Sequence, residues 1–131
     1  MKLDSLVPNA HYDNVHGTPQ TIEKDNDGSY LYRYNIKPEK GIPEGEKKEV
    51  QIGFACREIR VWEHPTKAVL KKAIIRSVLD ETAEFDLVNS YNKDALGIKK
   101  DAKAVAEYKE YLQFTDDVDA MLVADLSKIT I

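Results

Sequence analysis

Tyr30-Leu31-Tyr32-Arg33-Tyr34-Asn35-Ile36 alternates without a break: Tyr30, Tyr32, Tyr34 and Ile36 fall on one parity, Leu31, Arg33 and Asn35 on the other. A β-strand turns successive side chains to opposite faces, so strict period two in an aromatic-rich run predicts a strand. The tyrosines and Ile36 are expected on the core side of a sheet, with Arg33 and Asn35 on the opposite side.

Working backward from this strand, Asp25-Asn26-Asp27-Gly28 is a turn signal, because Asn, Asp and Gly tolerate positive φ and close side-chain turns. Thr21-Ile22-Glu23 before it is expected to begin a short strand, and residues 1–20, with Pro8, Asn9, Asn14, Gly17 and Pro19, to form an irregular arm. Working forward, Lys37 to Lys48 reads as a polar loop with Pro38, Gly41, Pro43 and Gly45, long for a hairpin connection, and with almost nothing apolar except Ile42 to anchor it, so it is expected to be mobile or a contact loop. Val50, Ile52, Phe54 and Cys56 alternate again, and Ile59 and Val61 continue on the opposite parity. A bulge near Arg57-Glu58, or a break into two strands, would reconcile the two halves.

The composition changes at Pro65. Beyond it the chain has no proline and a single glycine, Gly97, which predicts helices. Thr66 can cap a helix ending near Leu79, with Val69, Leu70, Ala73, Ile74 and Val78 on one stripe and Lys67, Lys71, Lys72 and Arg76 on the other side. Asp80 or Thr82 can cap a second helix that stops at Gly97. A third, opened by Asp101 and running to about Leu126, carries Tyr108, Leu112, Val118 and Leu122 at helical steps, widened by Tyr111, Phe114 and Met121. At the standard rise it is roughly 39 Å long. The expected fold is α+β, a small antiparallel β-sheet in the N-terminal half packed by about three α-helices in the C-terminal half. The expected organisation is one domain over 1–131, with the arm at 1–20, the β-rich part at 21–63 and the helical part at 66–126.

A chain of 131 residues that is 42% hydrophobic and 32% charged can bury a core without disulfides or metal. Its net charge of −4 argues against a general electrostatic hold on nucleic acid or an anionic membrane. No apolar run reaches bilayer length, and Asp4 and Pro8 interrupt the first residues where a signal peptide needs an apolar stretch. The single Cys56 cannot form an internal disulfide, so a soluble, cytoplasmic chain is expected.

Candidate chemistries fall away one by one. His11, Asp13 and His16 match no helical ligand spacing and have no further ligand nearby, so no metal is expected. Aligning Gly28 with the glycine of a calcium loop puts Tyr34 where a bidentate glutamate belongs. Cys56 and His64 could be imagined as a catalytic pair, but no local nucleophile signature supports it. Asp116, Asp117 and Asp119 read as a solvated acidic face. No phosphate-cradling loop and no nucleophile elbow occurs. Catalytic residues, cofactors and metals are therefore all expected to be absent. The basic face Lys67, Lys71, Lys72, Arg76 is the candidate nucleic-acid contact, although the tyrosine strand lacks the glycines of an RNA-binding sheet. The broad stripe on the long helix makes Tyr111, Phe114, Val118, Met121 and Leu122 the candidate protein interface, and a homo-oligomer the expected assembly.

The whole chain resembles a group of small proteins from prophages and mobile elements of gut bacteria. The resemblance lies in Asp27-Gly28-Ser29-Tyr30 leading to Arg33-Tyr34-Asn35-Ile36, in Ala73-Ile74-Ile75-Arg76-Ser77, in Val88-Asn89-Ser90-Tyr91-Asn92 and in Glu107-Tyr108-Lys109-Glu110-Tyr111-Leu112. It implies a place beside phage structural or tail-fibre components and transfers no catalytic residue. The expected function is that of a non-enzymatic accessory or structural protein of a prophage-like element, working through protein contacts. The alternative is a small nucleic-acid-binding or regulatory protein using the basic helix 67–76, followed by an enzyme whose cleft residues converge from distant positions.

Overall fold

The computed structural model describes residues 1–129. After a 3-10 turn at Leu3–Ser5 come strands β1 (Ala10–Asp13), β2 (Ile22–Lys24), β3 (Tyr30–Gly41) and β4 (Val50–Val61), then helices α1 (Lys67–Val78), α2 (Glu81–Ala95) and α3 (Ala102–Ser127). The fold is α+β, with an antiparallel four-stranded sheet in the first half and three helices in the second. Two compact units result, Leu6–Pro65 and the helices from Thr66 onward with Met1–Ser5. Their boundary is the composition change at Pro65.

In the first unit the strand order is β1-β4-β3-β2. The turn at Asp25–Gly28 joins β2 to β3. Gly28 holds φ +90°, the Asp25 amide donates to the Ser29 carbonyl (2.9 Å), and Asp27 accepts from the Ser29 amide (2.9 Å). Arg60 of β4 reaches over to Asp25 and Asp27 and fastens this turn to the sheet.

β3 and β4 are longer than their sequence suggests. Lys37 to Gly41, expected as loop, pairs with Ala55 to Val50, so the connection shrinks to residues 42–49. Two irregularities hide this strand from a pattern search. Between Tyr34 and Lys37, β3 advances three residues while β4 advances two, from Arg57 to Ala55; a second shift follows between Glu39 and Lys40. The irregularity is therefore at Arg57, as expected, but its extra residue lies in β3 across from it, and Asn35 takes it up at φ +54°, a conformation Asn tolerates better than most residues. Pro38 is compatible with the strand because β2 reaches along β3 only as far as Tyr32, opposite Ile22, leaving this part of β3 with one neighbour.

The tyrosine alternation reads correctly up to the bulge. Tyr30 and Tyr32 lie opposite Val61 and Ile59, Tyr32 and Tyr34 are buried, and their rings stack at 5.6 Å. Past the bulge Lys37, not Ile36, lies opposite Ala55, so Ile36 leaves the tyrosine series. Residues 10–13, expected within an irregular arm, form β1 and pair with Cys56 to Gly53. A Cβ on Gly53 would collide with the Tyr12 backbone carbonyl across this pair.

In the helical unit, Thr66, Asp80 and Asp101 cap the three helices by accepting from the amides of Val69 (3.3 Å), Ala83 (2.8 Å) and Ala104 (3.1 Å). α2 ends ahead of Gly97, whose φ of +73° lets the Ile98 amide return to the Lys93 carbonyl at 2.9 Å. α1 and α2 both pack on α3. Leu70, Ile74 and Ile75 of α1 and Ala104, Phe114, Val118 and Leu122 of α3 are buried. α2 buries no side chain fully and is held by rings and polar bonds instead. Tyr91 stacks on Tyr108 with centroids 4.3 Å apart, and Glu84 binds Arg76 of α1 (2.9 Å) and the Tyr111 hydroxyl of α3. These bonds hold the Glu84 carboxyl below its ordinary value, Tyr111 contributing first and Arg76 second. Burial, then the Glu84 bond, pushes the Tyr111 hydroxyl up to about 12.

Two predictions follow from this packing. Gly53→Ala should lower the thermal midpoint by several degrees through overpacking of about 1–3 kcal/mol. Gly41→Ala, whose Cβ meets only the flexible tip of Ile52 at 2.8 Å, should cost clearly less. Equal midpoints for the two variants would contradict the close approach of β1 to β4. For Glu84 the folded pKa lies below an unfolded value of about 4.3, so its contribution is present above that pH and fades as pH falls through the folded value. Acid titration of helical circular dichroism should show Glu84→Gln losing part of this acid dependence, with a reduced stability at neutral pH.

Candidate functional site

β1 and β2 are consecutive in sequence yet occupy opposite edges of the sheet, so residues 14–21 must cross β4 and β3 to join them. They cross on the face that carries Arg33. The Arg33 side chain, expected on an outer face, is 4% exposed. It is on the face opposite the tyrosines, as its parity requires, and the crossover closes that face as well.

A buried guanidinium must be paired and hydrogen-bonded, since leaving it uncompensated costs several kcal/mol. Its partners come from the three other strands and from the crossover. Nε donates to Glu58 Oε1 of β4 (2.8 Å) and to the Tyr12 hydroxyl of β1 (3.0 Å). Nη1 donates to Glu23 Oε2 of β2 (3.1 Å) and to the Gln20 carbonyl (3.1 Å). The guanidinium also lies 4.8 Å from the Tyr12 ring centroid, and the Tyr12 hydroxyl donates to Glu58. Burial by itself would lower the Arg33 pKa; the bonds to Tyr12, Glu23 and Glu58 outweigh it and hold the cation above its ordinary value. Burial, then the Glu58 bond, raises the Tyr12 hydroxyl. Cys56, on the same face, is fully buried, and its thiol is pushed up by desolvation.

Between the crossover and the sheet lies a cavity of about 420 Å³. Arg33, Tyr12, Asp13, His16, Thr18 and Glu23 are among the residues that line it. Cys56 and His64 are not brought together, because Cys56 shares the Arg33 face while the His64 ring packs edge-on against Tyr30 of the tyrosine face at 6.1 Å. His11 binds Glu39 (2.8 Å), and Asp13 accepts from the Val15 amide (2.9 Å). Among the described residues no group of His, Cys, Asp and Glu could hold a metal ion.

The candidate protein interface needs correction. Phe114, Val118 and Leu122 are interior residues of the chain, and Tyr111 and Met121 are half-buried. α1 and α2 cover the stripe that the sequence left open to a second chain. The exposed apolar residues of α3 are instead Leu112 and Val123. The basic face is also largely neutralised. Lys71 and Lys67 pair with Asp119 at 2.8 and 3.5 Å, and Arg76 pairs with Glu84 and Glu81. Lys72 remains exposed. Asp119, read as part of a solvated acidic face, thereby joins α3 to α1, and Lys71 holds its carboxyl below the ordinary value.

The second feature of the sheet unit is the far end of the β3–β4 hairpin. Lys40–Gly41 and Val50–Ile52 extend beyond the residues that β2 and β1 pair with, and the connection from residue 42 continues from them. Ile42, Val50 and Ile52 on this extension are exposed, at 63%, 46% and 43%. The sequence placed Val50 and Ile52 in an alternating run with Phe54 and Cys56, which does not say which face is covered. Comparison with known protein families, curated proteins and solved structures yields no match.

Arg33→Met should destabilise the sheet unit by about 3–5 kcal/mol, because Glu58 and Tyr12 lose the cation they were buried with. Adding Glu58→Leu to that variant should recover a large part of the loss in chemical denaturation. Strictly additive losses would show that the two residues are not coupled.

Proposed function

We propose that this chain is a non-enzymatic protein-contact module, an accessory or structural component of a prophage-like element with cytoplasmic residence. The observation that supports it is the end of the β3–β4 hairpin, which exposes Ile42, Val50 and Ile52. Apolar side chains exposed at such an end mark a surface that a partner covers, and burying each on association contributes on the order of 1.5–3 kcal/mol. Pro38 and the lysines at 37 and 40 guard the open edge of β3 against indiscriminate strand pairing, which favours recognition through side chains. Contact with phage structural or tail proteins is the partner class this reading takes from the resemblance.

Other features favour binding over chemistry. The thiol is buried with a raised pKa, and the strongest polar clusters are internally paired. Nucleic-acid binding is the less favoured reading, because three of the four basic residues of α1 already face carboxylates. No helix among the described residues is long and apolar enough to cross a membrane.

The test is a pair of charge substitutions on the hairpin end. Ile42→Asp with Ile52→Asp should leave the thermal midpoint within a degree or two of the parent, since both side chains are exposed. The same variant should lose co-assembly with phage structural proteins that the parent retains at physiological salt. Retained assembly would remove the hairpin end from the contact, and salt-sensitive binding to DNA or RNA by the parent would favour the nucleic-acid reading instead.

A further inference from the structure

We infer that the cavity beneath the crossover is a binding site for a neutral, hydroxyl-rich ligand, the class to which a single pyranose unit belongs. Its volume of about 420 Å³ falls within the range of small-molecule pockets, about 300–1,000 Å³. The floor is set in advance. Arg33 is clamped through Nε and Nη1, so a ligand need not immobilise a flexible side chain to use it.

The charges around the cavity choose the ligand class. An anion drawn to Arg33 would meet Asp13 and Glu23, which also line the cavity, and a guanidinium already paired with Glu58. A cation drawn to those carboxylates would meet a guanidinium that cannot lose its proton. A neutral hydroxyl meets neither penalty, because it accepts and donates at once. Nη2 takes part in none of the bonds that clamp Arg33, and it is the donor for such a group. The carboxylates of Glu23 and Asp13 each engage through one oxygen, Oε2 to Arg33 and Oδ1 to the Val15 amide. Their second oxygens are acceptors for neighbouring hydroxyls. Thr18 and His16 of the crossover, which also line the cavity, add further hydroxyl and imidazole partners. Vicinal hydroxyls held between a guanidinium and carboxylates make charge-assisted bonds, roughly twice as strong as neutral ones.

This inference is independent of the hairpin end and is tested apart from it. Amide shifts of the full chain are followed while glucose, galactose, N-acetylglucosamine and a neutral trisaccharide are added to tens of millimolar. The expected result is saturable shifts at residues 12–23 and 33 with a millimolar Kd. A preference for the monosaccharides identifies a free sugar as the source, and a preference for the trisaccharide identifies a glycan. Thr18→Trp, which fills the cavity from an exposed loop position, should weaken binding at least about tenfold, equivalent to about 1.4 kcal/mol, with the dispersed spectrum preserved. Thr115→Trp on α3 should leave it unchanged. Absence of saturable shifts with all four neutral probes would overturn the inference. So would undiminished binding by Thr18→Trp, or tighter binding of glucuronate or glucosamine than of glucose.

Discussion

One guanidinium decides how the sheet unit closes. Arg33 sits on β3, one of the two inner strands of the sheet, and its charge has to be compensated with 4% of its side chain exposed. The compensation arrives from β4 directly opposite through Glu58, from β2 through Glu23, from β1 through Tyr12 and from the crossover through the Gln20 carbonyl. Edge strands of four and three residues would be marginal on their ladders alone. Their attachment to a common buried cation ties both edges, and the loop between them, to the central hairpin. Gly53 lets β1 come close enough for Tyr12 to take part.

The helical unit solves an analogous problem with different means. Its apolar core is built from α1 and α3, while α2 is fastened by the Tyr91–Tyr108 stack and by Glu84, which accepts from Arg76 and Tyr111 on the other two helices. Here too a single charged side chain joins elements that hydrophobic burial alone leaves loosely connected. The consequence for recognition is that the strongest polar groups are spent internally. Among the features left at the surface are the apolar end of the β3–β4 hairpin and the polar cavity over Arg33.

The fold was legible where a local rule decides structure. Period two gave the tyrosine strand, the Asp25–Gly28 cluster gave its turn, and Thr66, Asp80 and Asp101 marked the helix starts by their capping chemistry. Three features were not legible. The bulge at Asn35 reset the alternation, so Lys37–Gly41 looked like loop and Ile36 looked like core. β1 has only four residues, and pairs with a strand some forty positions later, a partnership no local pattern announces. The stripe on α3 was read correctly as apolar, but its width says nothing about what covers it; α1 and α2 do, closing Phe114, Val118 and Leu122 to a partner chain. Of the site, only the parity of Arg33 was visible, because its partners converge from four separate segments.

Arg33 is a shielded cation clamped through Nε and Nη1, and side-chain NMR of the arginine Nε–H groups tests that directly. At neutral pH the Arg33 Nε–H should give a sharp, separately resolved signal, exchange with water far more slowly than that of Arg60, which is 38% exposed, and show through-space contacts to the Tyr12 ring. Exchange as fast as that of Arg60, with no contact to Tyr12, would mean that the cation does not hold β1 and β2 over the sheet.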